Sequence, residues 1–211
     1  NGISPNFISL QKFLSDSNKI INFAEMFTAS QRKKENIAEY LLYMWQIEDL
    51  IRANGLDMDN IDKNIIDQYT DLSDQQRRDL YQWYESLIDM MRREGVEHSG
   101  HLQINRNTLT ELSDLHSRLM ADPRFNAYSQ EFYRVLPYIV ELRAKAGDNR
   151  AGELETCFTA LYGLLMLRLQ AKEVSKETLE ATGHISHFLA LLAKYYNEDR
   201  AGSLFKEDAD S

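Results

Sequence analysis

Residues 31–54 read QRKKENIAEYLLYMWQIEDLIRAN, and their spacing decides the fold. At about 100° per residue, Ile37, Leu41, Met44, Trp45, Ile47 and Ile51 share one broad helical face. Glu48 falls in the middle of that face, and Arg52 follows one turn later at its edge. A carboxylate aimed into a core has to be neutral, or paired and hydrogen-bonded, because an isolated buried charge is very costly. The anomaly names no reaction, but it marks a place where the core is polar.

Working outward, helical periodicity recurs and strand-like alternation of Val, Ile and Thr does not. Gly55 closes the first helix, and Leu56 suits the hydrophobic contact of a Schellman cap. A short helix is expected from about Met58 to Tyr69. Ser73 with Gln76 reads as a capping box for a helix running to Glu94, with Gly95 as its left-handed cap. The next helix carries Leu102, Leu109, Leu112, Leu115 and Leu119, and stops at Asp122-Pro123. Tyr128, Phe132, Val135, Leu136, Ile139 and Leu142 mark another, with Pro137 on its outer face as a kink. Residues from about Gly152 to Ala171 are apolar around most of the helix circumference, which predicts a central position. A last helix is expected from about Lys176 to Tyr196. The fold class is therefore all-α, a single-domain bundle of six to eight helices.

The predicted organisation has three parts: residues 1–28 as an N-terminal extension, 29–199 as the bundle, and 200–211 as a frayed acidic tail. Residues 1–28 hold interrupted amphipathic stretches, and Met26 is a candidate start of a shorter product. A genuine leading helix packed on the bundle is the equal alternative.

Composition narrows the function classes. A net charge of −9 with scattered Lys and Arg lacks the basic footprint that nucleic acid or an anionic membrane requires. The single cysteine, Cys157, excludes an intramolecular disulfide framework and a multi-thiolate metal site. The longest apolar run, Cys157 to Leu167, is too short to span a bilayer as a helix. These features predict a cytoplasmic protein.

Several constellations invite chemistry. Glu48 and Arg52 are either a ligand-facing pair or an ion pair bridging helices. Arg168, between Leu161 and Leu164 on its helical wheel, is the expected third member, within a few ångströms of Glu48. A structural role is the preferred reading. His116 lies on an apolar stripe between Leu112 and Leu119, where a lone histidine is usually hydrogen-bonded in place. Glu48, Arg52, Arg168 and His116 are the candidate ligand-binding residues. His184, His187 and Glu180 have metal-like spacing, yet the wheel turns Glu180 and His187 away from Ile185, Phe188 and Leu189. His98 and His101 stand in or beside a loop, a weak signal alone. Asp57 to Asp62 fails the calcium-loop pattern, because Ile61 and Asp62 occupy its fifth and sixth positions. Cys157 is expected buried and inert. No phosphate loop, nucleophile elbow or HExxH occurs, so no catalytic residue, cofactor or metal is assigned.

The opening run QRKKENIAEYLLYMWQIEDLIRAN resembles the first helix of an uncharacterised family of all-helical proteins from Bacteroidetes-type bacteria. The similarity extends from about Ser30 to near Tyr196. It implies a cytoplasmic bacterial domain of unknown function and brings no activity, ligand or site residue with it. Two functions stay open. One is a non-enzymatic interaction or scaffold protein, self-associating or protein-binding. The other is a small-molecule binding protein or enzyme with a polar pocket around the four candidates.

Overall fold

Asn36 begins the first helix of the computed structural model, which describes residues 36–146 and 151–206. Its backbone is extended, and its side-chain oxygen accepts the N–H groups of Ala38 (3.2 Å) and Glu39 (3.4 Å). Helix α1 then runs Ile37–Ala53. It ends in the expected Schellman arrangement, with Leu56 N–H donating to Ile51 O (3.1 Å) and Gly55 N–H to Arg52 O (2.9 Å). Gly55 has φ +69°, a conformation that a side chain disfavours.

Six further helices follow: α2 (Met58–Asn64), α3 (Asp74–Glu94), α4 (Gln103–Ala121), α5 (Asn126–Ala146), α6 (Glu153–Leu169) and α7 (Lys176–Arg200). Short 3-10 turns lie at Ile66–Gln68 and Pro123–Phe125, and no strand occurs among the described residues. The chain is all-α, as its periodicity predicts. The segment expected as one helix to Tyr69 divides at Ile65, whose φ of −124° breaks the helix and turns Ile65 and Ile66 into the core. The capping box at Ser73 and Gln76 is present, and Gly95 closes α3 at φ +69°.

Helix α1 is central and more deeply covered than its stripe implies: Ala38, Leu42 and Tyr43 are buried along with Leu41 and Ile47. Helices α5 and α7 run antiparallel, as three aromatic pairs show: Tyr128 with Tyr195, Phe132 with Phe188, and Tyr138 with His184. Helix α5 continues through Pro137, which is exposed as expected. Beyond α7, Phe205 packs edge-on against Phe125 and lies under the Arg118 guanidinium at 4.0 Å. The readings made for residues 1–35, and for the last five, fall outside the described residues. Among the described residues, no helix is long and apolar enough to cross a membrane.

Candidate functional site

Glu48 is fully buried, so its carboxylate needs partners within the protein. It finds three donors at the start of α4. Oε1 accepts the Leu102 N–H (2.8 Å) and the Asn105 side-chain amide (2.6 Å), and Oε2 meets His101 Nδ1 at 2.6 Å. Leu102 is the N-cap of α4 and offers no side-chain cap of its own. Glu48 therefore caps α4 from another helix, at the positive end of its dipole.

Arg52, one turn on, faces the same connection with the opposite chemistry. Its Nη2 donates to the carbonyls of Val96 (3.0 Å) and Gly100 (2.5 Å), and its Nη1 to Asp49 Oδ1 (2.8 Å). The carboxylate takes the loop's donors and the guanidinium takes its acceptors. Together they clamp residues 96–102 onto α1. The anomalous pair thus neutralises the polar groups of a turn rather than each other.

Around the clamp, His101 stacks on Trp45 with ring centroids 4.1 Å apart and planes 11° from parallel. The Tyr162 hydroxyl donates to Asp49 Oδ2 at 2.6 Å, and burial followed by that hydrogen bond raises its pKa. Glu48 holds the His101 ring by Nδ1 and leaves Nε2 on a side chain 31 % exposed. An imidazole so oriented can accept a proton or ligate a metal. Among the described residues, however, no three His, Cys, Asp or Glu side chains gather as a metal site. Two polar atoms here have no hydrogen-bond partner: the buried Asn105 Oδ1 and Arg52 Nε.

The other candidates lie elsewhere. The expected Glu48–Arg168 contact does not form, since the Glu48 oxygens go to His101, Leu102 and Asn105. Helix α6 meets this level of α1 through Phe158 and Tyr162, which both contact Trp45. Arg168 is half-buried, nearly two turns further along α6, and is carried about 9 Å past the site. His116 is on α4 some 16 Å of helix from Asn105. There its Nδ1 meets the Tyr128 hydroxyl at 2.7 Å, and its ring packs on Phe132 and Phe188. Burial lowers its pKa. Cys157 is buried, and that burial pushes its thiol up to about 12. His184 and His187 are exposed, the first stacked on Tyr138 and the second 3.9 Å from Glu131. The sequence reading missed His101, Leu102 and Asn105 as partners of Glu48. Their only sequence signal is a helix start, HLQIN, that lacks a capping side chain.

A second feature is an open groove of about 750 Å³ between the end of α5, the middle of α6 and the start of α7. Its floor is formed by Ala160, Gly163, Leu164, Leu167, Ala181 and Ile185, and its rim carries Glu141, Lys145, Glu177 and Glu180. Small residues make the hollow: a Cβ added at Gly163 would meet nothing within 4 Å. Lys145 is paired with Glu141 at 2.6 Å, whereas no cation of the described residues pairs with Glu177 or Glu180. The volume is that of a ligand or side-chain cluster site. Part of the apolar circumference that predicts a central α6 thus lines an opening.

The chain belongs to the family described as Domain of unknown function (DUF4924), whose model matches residues 26–203. No curated protein and no solved structure matches it.

Proposed function

We propose that this domain is a non-enzymatic protein-interaction module, working in the bacterial cytoplasm, whose docking surface is the groove between α5, α6 and α7. The groove itself is the observation that supports this reading. Its floor is apolar and built in part from small residues, and α6 lines it from Thr156 to Leu167, about 16 Å of helix. Three turns of a partner helix, laid apolar face down, match that length. The acidic edge at Glu177 and Glu180 favours a partner with Lys or Arg beside its apolar face. Leu179, 43 % exposed, lies between the lining residues Thr178 and Glu180 on α7, beside the groove rather than in it, where a probe reports on a docked partner without filling the floor.

The test is a photo-crosslinking residue placed in the native host at Leu179, with exposed Glu85 on α3 as control. Adducts to a defined protein from position 179, and none from 85, support the groove. Equal labelling from both, or none from 179, removes it.

A small-molecule site at Glu48 and Arg52, without the distant Arg168 and His116, is the second reading. It is favoured by the unpartnered Asn105 Oδ1 and Arg52 Nε beside Glu48. Those atoms suit a compact molecule that both accepts and donates a hydrogen bond. Native mass spectrometry of protein purified from its host checks it: a stoichiometric added mass, lost in Asn105→Ala, is the outcome it requires.

A further inference from the structure

We infer that the outer face of α5 pairs, antiparallel, with α5 of a second copy of this chain. The face adjoins the groove and shares Glu141 with its rim, while Tyr133, Pro137, Val140 and Ala144 lie outside the groove lining. Tyr133, Pro137, Val140 and Ala144 fall on one stripe, spaced four, three and four residues, the spacing of a helix-pairing seam. All four are exposed, Tyr133 and Val140 by 60 % and 59 %. The side of α5 that packs on the bundle is the opposite one, carrying Tyr128, Phe132, Val135 and Ile139. The stripe is an apolar helix face with nothing of the described bundle on it.

Charge identifies the occupant and its direction. Arg134 and Glu141 flank the stripe on the same side, at about 60° and 40° from Pro137 on the wheel. In an antiparallel pair related by a two-fold axis, the same flank of each helix meets its copy. With the axis between Pro137 and Tyr138, Arg134 of one copy faces Glu141 of the other, twice over. A parallel pair would set these charges against Ser129 and Leu136 on the other flank, with no complement. In the single chain Arg134 pairs with Glu131 and Glu141 with Lys145, each at 2.6 Å. Such exposed pairs are weak, so exchanging them across the seam costs little. The surface is self-complementary in the sense a two-fold interface requires.

Sedimentation velocity on the full chain tests this. The wild type is expected to run as a dimer whose apparent mass falls on dilution, and Val140→Glu as a monomer with an unchanged circular dichroism melt. Arg134→Glu and Glu141→Arg should each weaken association at least about tenfold, because each sets like charges opposite one another. An equimolar mixture of these two variants should recover the dimer. In the mixed pair the two introduced charges face each other at one contact, and the native Arg134 and Glu141 face each other at the second. Both are exposed substitutions, and recovery on mixing also shows that each chain is folded. A wild type that stays monomeric at its highest soluble concentration overturns the inference. So does a dimer that survives both reversals, or a mixture that stays monomeric. Val140 is not part of the groove lining, so crosslinking at Leu179 measured in Val140→Glu separates the two surfaces, and loss of the dimer in that variant leaves the proposed function standing.

Discussion

Replacing Glu48 with Ala removes the acceptor for three donors that converge from the start of α4. Two of them sit on residues that are essentially inaccessible, Leu102 (0 %) and Asn105 (1 %), and cannot turn to water. A buried donor left unsatisfied costs about 1–3 kcal/mol, so the two together cost about 4 kcal/mol. The third, His101, is partly exposed and can be hydrated. Loss of the buried carboxylate also removes its own desolvation cost, which offsets part of this and leaves a net loss of about 3 kcal/mol, the low end for breaking a buried charged interaction. For a chain of this length that lowers the melting midpoint by about 6–12 °C. Glu48→Gln is the control: it keeps one carbonyl for Leu102 and Asn105 and should lose less than half as much. The assay is urea unfolding of wild type and both variants, with amide hydrogen exchange to localise the damage. Exchange should accelerate first over residues 96–105, because the clamp holds that turn. A loss below about 1 kcal/mol in Glu48→Ala, or an unchanged or raised midpoint, would refute the clamp and return Glu48 to the ligand-site reading.

Further outcomes follow from the same geometry. Arg52→Lys keeps the charge but loses the fork that reaches both Val96 and Gly100 carbonyls. It should cost about 1–2 kcal/mol and loosen the same turn, as seen by exchange. His116 carries a folded-state pKa below its unfolded value, so the unfolded chain takes up the proton first. Its contribution is therefore complete above about pH 6.5 and is lost as pH falls below that. Unfolding free energies of wild type and His116→Gln, measured against pH, should differ by a constant above that point and converge below it. A difference that stays flat contradicts the assignment. Cys157, with its thiol pushed up to about 12 by burial, should react with a disulfide reagent only as fast as the protein opens. Rapid labelling of the native chain is the contrary result.

Local chemistry was legible in the chain. Ser73 with Gln76, Gly55 with Leu56, and Gly95 each depend on residues within one turn, and each forms the cap its spacing predicts. Glu48 was legible as an anomaly, because a charge at the centre of an apolar stripe contradicts the periodicity around it. Its partners were not. They are one backbone N–H, an imidazole and a side-chain amide at a helix start 53–57 residues away, whose preceding turn has no periodicity to place it. Guanidinium was the natural expectation for a buried carboxylate, yet a helix start supplies N–H donors without burying a second charge. The groove was hidden for another reason. A wheel shows that α6 is apolar on nearly every side, but not which side goes uncovered. Gly163 was the available signal, since an interior glycine costs a helix roughly 1 kcal/mol relative to alanine without some return in packing or approach.

Gly163 also gives the most direct test of the docking surface. Gly163→Leu adds a side chain into open space, because no atom lies within 4 Å of the new Cβ. It should leave the fold intact and raise its stability by up to about 1 kcal/mol through helix propensity. The same leucine fills the floor on which a partner helix would rest. Measured by photo-crosslinking from Leu179 in the native host, the variant should keep or raise its melting midpoint and lose the adduct seen with wild type. An undiminished adduct from a folded Gly163→Leu protein would contradict the account.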